Sequence, residues 1–289
     1  MSAPSMLWLT IFFVLPTLLV VAIAFHSASP DGGIGKTWTL ETWTQIANPN
    51  YPTIIWRTFW ISLVTAVGCV LLSLPCAYAI ARMSKKWRAI MACLIMLPFW
   101  TSFVVRVFAW RMLLHPEGFL KYMLVTFGLA APDAQLLYNS GAILLVSIYS
   151  FLPFAIMPIY AAAEKFDFSL MEAARDLGAK SFYAFRKIFL PGIRRGVISA
   201  FLMVFIPSVG SYVIPDLVGG KNSEMIGNKI YQRTFPDRNL PHASALSTIM
   251  AISVLTPLGI FVWFSKRQDK KEFARRAEAA HARHQGGAA

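Results

Sequence analysis

The sequence predicts an all-α membrane protein of six transmembrane helices with both termini in the cytoplasm. Three observations carry that class. Of 289 residues, 56% are hydrophobic and only 14% charged, against about 45–50% and about 25% in soluble domains. Six apolar runs each reach the roughly 20 residues that a bilayer-spanning helix needs. The basic residues gather in alternate connections. A soluble enzyme and a disordered chain are both excluded, since one core could not hide so much apolar surface and charge is sparse.

The runs lie near 6–26, 54–81, 89–110, 142–163, 196–217 and 242–264. Helices are the form that satisfies every backbone group in lipid. Inside the runs the only acidic or basic residues are Arg57, Arg106 and Asp216, all close to run ends. Eight prolines (Pro16, Pro75, Pro98, Pro153, Pro158, Pro207, Pro215, Pro257) are expected to kink their helices, which membrane bundles tolerate. Residues 1–28 then hold the first helix, 29–53 an outer (periplasmic) loop, 54–264 a five-helix core and 265–289 a basic tail.

Charge sets the topology. The 82–88 loop, the 164–195 loop and the tail after Phe264 hold 18 of the 27 Lys and Arg, and alternation of six spans places all three on one side. The positive-inside rule makes that side cytoplasmic. The net charge of +13 thus reads as topology and contact with lipid headgroups, not as a nucleic-acid patch. No basic region precedes the first run, so it reads as an uncleaved helix, not a signal peptide. Trp38, Trp43, Trp56, Trp60 and Trp110 fall near the outer interface and Trp8, Trp87 and Trp263 near the inner one, as an aromatic belt. Cys69, Cys76 and Cys93 lie in apolar runs without metal-ligand or disulfide spacing and read as small packing residues. Arg106 reads as a snorkelling side chain.

The 164–195 loop is too long for a simple connection and reads EKFDFSLMEAARDLGAKSFYAFRKIFLPGIRR. Ser169 with Glu172 makes an S-x-x-E capping box, and Gly178 fits the residue after a helix end. Pro191 halts a second short helix before the next span. Leu170, Met171, Leu177 and Phe182 are expected to be exposed, as a docking surface for another protein or as a hairpin lying on lipid headgroups.

Glu172, Ala173, Ala174, Gly178, Ile188, Leu190 and Pro191 match EAA-x3-G-x9-I-x-L-P. The loop resembles the EAA loop of the integral-membrane permeases of ABC importers. Leu97–Trp110, Ser208–Gly220 and Met225–Ser247 further resemble the spermidine/putrescine-type branch. The resemblance implies a type I ABC importer permease fold in the bacterial inner membrane. It makes the seven EAA-loop residues an ATPase-coupling element and implies two separate ATPase subunits, a second homologous permease and a periplasmic solute-binding protein. The chain has no G-x4-G-K-[ST] phosphate loop, so ATP and Mg would bind the partner ATPase and this chain would carry neither cofactor nor metal. It is a transport subunit and not an enzyme.

A cationic solute needs aromatic faces, carboxylates or carbonyl ends. No carboxylate lies mid-span, and the substrate-path candidates are Trp100, Tyr149, Ser208, Ser211, Tyr212 and Asp216. Ser208, Ser211 and Tyr212 would share one helical face. Small-residue helix packing is the competing reading of the serines. The cargo reading is a polyamine, with an amino acid or quaternary amine as alternative. An ion-driven secondary transporter would place ionisable groups deep in the membrane, where none occurs. A membrane-embedded enzyme would need a catalytic constellation that is also missing.

Overall fold

The computed structural model describes residues 3–256 except Pro49, together with Gly259. The tail 265–289 and the end of the sixth run lie outside the described residues. Helix α1 (Met6–Ile23) buries none of its residues. It passes through one wider π turn, Thr10–Val14, just ahead of Pro16. Proline has no N–H for the preceding turn and its ring crowds that carbonyl, so the turn widens there.

The loop that follows is folded. Strands β1 (His26–Ala28) and β2 (Ile34–Trp38) pair antiparallel, an addition to the all-helical expectation. Their turn needs the left-handed backbone of Gly32 and Gly33, at φ +89° and +94°. The Gly33 N–H donates to the Arg238 carbonyl at 2.7 Å. After α2 (Glu41–Ile46), the Tyr51 hydroxyl shares a hydrogen bond with the His242 imidazole at 2.8 Å. Ala24 and Ile46 pack on Ala245 and Leu246, so the loop is clasped to the last helix.

Helix α3 (Asn50–Ala81) is the longest among the described residues. The third run departs from expectation. It is not one straight helix but α4 (Lys85–Met96), a tight turn at Leu97–Trp100, α5 (Phe103–Leu114) and α6 (Phe119–Thr126), the two halves meeting at 85°. Pro98 removes a helical donor, and Thr101 and Ser102 are extended at ψ 150° and 135°. Arg106 does not snorkel. Its Nη1 donates to the Pro98 carbonyl at 2.6 Å and its guanidinium lies 5.2 Å from the Phe99 ring centre, which closes the bend.

Helix α7 (Ser140–Glu164) opens on Asn139, whose Oδ1 accepts the Ala142 N–H at 2.8 Å. Then come α8 (Ser169–Asp176) and α9 (Ser181–Gly192), the latter meeting α10 (Arg194–Val209) at 73°. The fifth run is broken too: α10 ends at Val209, residues 210–212 are irregular, and α11 (Val213–Val218) follows. Next are α12 (Ile226–Thr234) and α13 (Leu240–Thr256). By length and composition α1, α3 and α7 can each cross a membrane, and five segments can if each bent pair is one span.

Helices α3, α7 and α10 form the central body, with Ala66, Cys69, Ala77, Ile143, Val146, Ile159, Ala200 and Val204 buried between them. Small residues bring the helices close, as lipid-embedded packing requires. A Cβ on Gly196 would stand 2.5 Å from the Ala162 methyl and 2.8 Å from the Pro158 carbonyl. Cys69 packs here as expected, but Cys76 and Cys93 are exposed. Pro75, Pro153, Pro158 and Pro207 sit inside uninterrupted helices, so the large bends fall elsewhere, at Pro98 and at Pro191–Gly192.

Candidate functional sites at the two ends of the bundle

At the basic end, α8 carries Glu172, Ala173 and Ala174 of the EAA pattern, and Gly178 follows its end. Ser169 is the first helical residue and not the cap; Asp167, two residues ahead, accepts the Ser169 N–H through Oδ1 at 3.0 Å. Hydrogen bonds from the Ser169 side chain and backbone hold the Asp167 carboxyl below its ordinary range. The predicted capping box of Ser169 and Glu172 does not form, because Ser169 already lies in the helix; Glu172 lies in the first turn, where a carboxylate suits the helix dipole. The exit matches expectation. Gly178 has φ +86°, its N–H donates to Arg175 O at 2.9 Å, and the Ala179 N–H donates to Ala174 O at 3.0 Å. That paired pattern ends a helix through a left-handed glycine.

Glu172, Ala173 and Gly178 are exposed, and Ala174 is half-buried. Leu177, Phe182 and Leu170 are exposed to 89%, 75% and 53%, which leaves an apolar rim around them. Met171 differs from expectation: it is 6% exposed and packs inward. Ile188 and Leu190 are half-buried against the core and flank the fully buried Phe189, so they anchor the loop; Pro191 is exposed beside the α9–α10 bend. Arg88 reaches Glu164 at 3.5 Å and ties the 82–88 loop to the start of this one.

At the opposite end, the break at 210–212 separates residues expected on one helical face. Ser208 is buried within α10, whereas Tyr212 is 42% exposed and lies beyond the helix end. A helix that stops cannot carry its 3.6-residue register forward. Ser211 is half-buried in the break, and Asp216 is exposed in the first turn of α11. Trp100 is 84% exposed at the α4–α5 bend. Tyr149 meets Trp110 edge to face at 5.2 Å, not Trp100. The six candidates therefore form no single cluster.

The break is organised by residues the sequence reading did not single out. Asn228, 3% exposed, donates Nδ2 to the Tyr212 carbonyl at 3.1 Å while its Oδ1 accepts the Met225 N–H at 3.2 Å. A Cβ on Gly227 would come within 2.6 Å of the Ser211 carbonyl oxygen, so only glycine lets α12 approach. Tyr231 stacks on Tyr212 with ring centres 5.0 Å apart and planes 10° from parallel, and Phe235 continues the row at 5.2 Å. Thr58 Oγ1 accepts the Ile226 N–H at 2.9 Å, tying α12 to α3. Asn228 and Tyr231 stand three apart on α12, a helical spacing that could have flagged them. Lys229 pairs with Glu224 at 2.6 Å beside them.

The chain is 34% identical over 257 residues to the spermidine/putrescine transport system permease protein PotB of Haemophilus influenzae, covering 89% of each chain. It is 29% identical over 264 residues to PotB of Escherichia coli, covering 91% of this chain and 96% of that one. A bacterial ABC transporter that imports the acidic polysaccharide alginate has a chain of the same fold, with TM-score 0.67 at 18% identity over 92% of this chain and 93% of that chain. The fold is thus the type I ABC importer permease fold, in a multi-pass inner-membrane protein. Residues 1–271 match the family of binding-protein-dependent transport system inner membrane components, and the chain belongs to that family.

Proposed function

We propose that this chain is one permease subunit of an ATP-driven polyamine importer, forming half of the pathway for spermidine or putrescine. The observation that carries the reading is the likeness to spermidine/putrescine permeases along nine-tenths of the chain, at up to 34% identity. In this reading one of two ATPase subunits docks on α8 and α9, a second permease completes the path and a periplasmic binding protein delivers the solute. Both termini are cytoplasmic and six spans are crossed: α1, α3 and α7, the two bent pairs counting as one each, and a sixth through the shorter apolar helix α13.

The geometry supports the division of labour. The exposed Leu177 and Phe182 offer apolar contact on a helix held rigid at both ends, by Asp167 and by Gly178. ATPase closure would move that helix as a body and expose the path to one side at a time. At the opposite end Tyr212 offers a π face, and the carbonyl end of α10 carries partial negative charge. Both attract an ammonium group without a buried carboxylate.

The test is uptake of radiolabelled spermidine and putrescine into cells deleted for their own polyamine importers and supplied with this permease and its neighbouring transport genes. ATP-dependent uptake competed by unlabelled polyamine is the expected result. Uptake of a quaternary amine or an amino acid instead would overturn the cargo. Uptake that survives ATP depletion but collapses with the ion gradient would overturn the importer.

A further inference from the structure

Beneath α8 lies a group of interlocked rings. Phe166 and Phe168 precede the helix, Phe185 and the fully buried Phe189 come from α9, and Tyr78 comes from α3. Tyr78 meets Phe189, Phe185 and Phe168 edge to face, with ring centres 5.1, 5.5 and 5.9 Å apart. Phe166 meets Phe189 at 5.2 Å and Phe168 at 5.3 Å, both edge to face. It also fills the α9–α10 bend, where a Cβ on Gly192 would stand 2.5 Å from its ring. Arg82 Nη1 donates to the Tyr78 hydroxyl at 3.0 Å, with its guanidinium 5.7 Å from that ring centre and 6.0 Å from that of Phe168. Edge-to-face rings resist sliding, because each positive edge is held against a neighbour's negative face.

Among these rings only Tyr78 belongs to α3. Pro75, three residues earlier, cannot donate to the Leu71 carbonyl, so the turn between Leu71 and Pro75, just ahead of Tyr78, is where α3 can most easily change angle. At its other end α3 carries Thr58, which holds α12 and through it the Tyr212–Tyr231 stack. Thr58 and Tyr78 are about 30 Å apart along the helix at 1.5 Å per residue. One continuous helix thus joins the ring group under α8 to the aromatic pair at the far end.

We propose that Tyr78 is a positioning residue that passes displacement of α8 and α9 into α3 through its ring contacts. The inference rests on the coupling role of α8, and the experiment separates the two. The permease, its partner permease and the ATPase are purified together, reconstituted with loaded binding protein, and scored for retained ATPase and for solute moved per ATP hydrolysed. Tyr78→Ala is expected to keep the ATPase bound and to lower solute per ATP at least tenfold. Tyr78→Phe should restore the ratio, since the edge and face remain, whereas Tyr78→Leu should fill the space without restoring it.

A wild-type ratio in Tyr78→Ala, or rescue by Leu equal to that by Phe, would overturn the proposal and make the ring a filler. So would loss of assembly in both the Ala and Leu variants, which would make it purely structural. Failure of the wild-type permease to retain any ATPase would instead sink the coupling reading itself.

Discussion

The buried Asn228 carboxamide bonds the Tyr212 carbonyl and the Met225 N–H at once, and so fixes the aromatic pair beside the break in α10. A buried backbone group left unpaired costs about 1–3 kcal/mol. Asn228→Leu removes both partners and is expected to destabilise the permease by about that amount per lost bond, read as a lower unfolding midpoint in detergent. Spermidine uptake should fall with it. An unchanged midpoint would show that α12 is held in place without Asn228.

The Tyr212–Tyr231 stack leaves Tyr212 half open, at 42% exposure. A cation over such a face gains about 0.5–2 kcal/mol, so Tyr212→Ala should raise the KM for uptake roughly two- to thirtyfold with the ATPase still bound. Tyr212→Phe should behave nearly as wild type, since the π face and not the hydroxyl is used. Tyr231→Ala should reproduce part of the effect by freeing its neighbour.

Gly178 stands at φ +86° in open space, so any penalty for a side chain comes from the backbone alone. Gly178→Ala is expected to weaken the end of α8 by about 1–2 kcal/mol and to lower uptake in proportion. Gly178→Pro would also remove the N–H that bonds Arg175, and should abolish uptake with the membrane level of the permease unchanged. Immunoblots of membranes alongside transport assays check both.

Gly196 contacts Ala162 and the Pro158 carbonyl across the α7–α10 interface. Gly196→Val should push the helices apart at a cost of about 1–3 kcal/mol and reduce the amount of folded permease, whichever cargo is carried. Gly210 offers the control: a Cβ there meets only the Pro207 carbonyl at an ordinary 3.9 Å, so Gly210→Ala should leave the folded amount near wild type.

Covalent chemistry and local physics wrote much of this protein into its sequence. The membrane class follows from composition, since no aqueous fold could bury that share of apolar residues. The glycine exit of α8 was legible because only glycine holds a left-handed turn without strain, and the family was legible because the EAA residues keep fixed gaps. Tertiary structure decided what depends on residues distant in the chain. A 20-residue apolar run looks the same whether it crosses straight or folds back by 85° at Leu97–Trp100, because the carbonyl that Arg106 satisfies is found only after folding. Ser208 and Tyr212 share a helical face on paper, but α12 takes the chain out of the helix between them by offering Gly227 and Asn228 as new partners. Met171 turned inward for the same reason: a short amphipathic helix does not declare which neighbours cover its apolar face until those neighbours, here from α3 and α9, have packed against it.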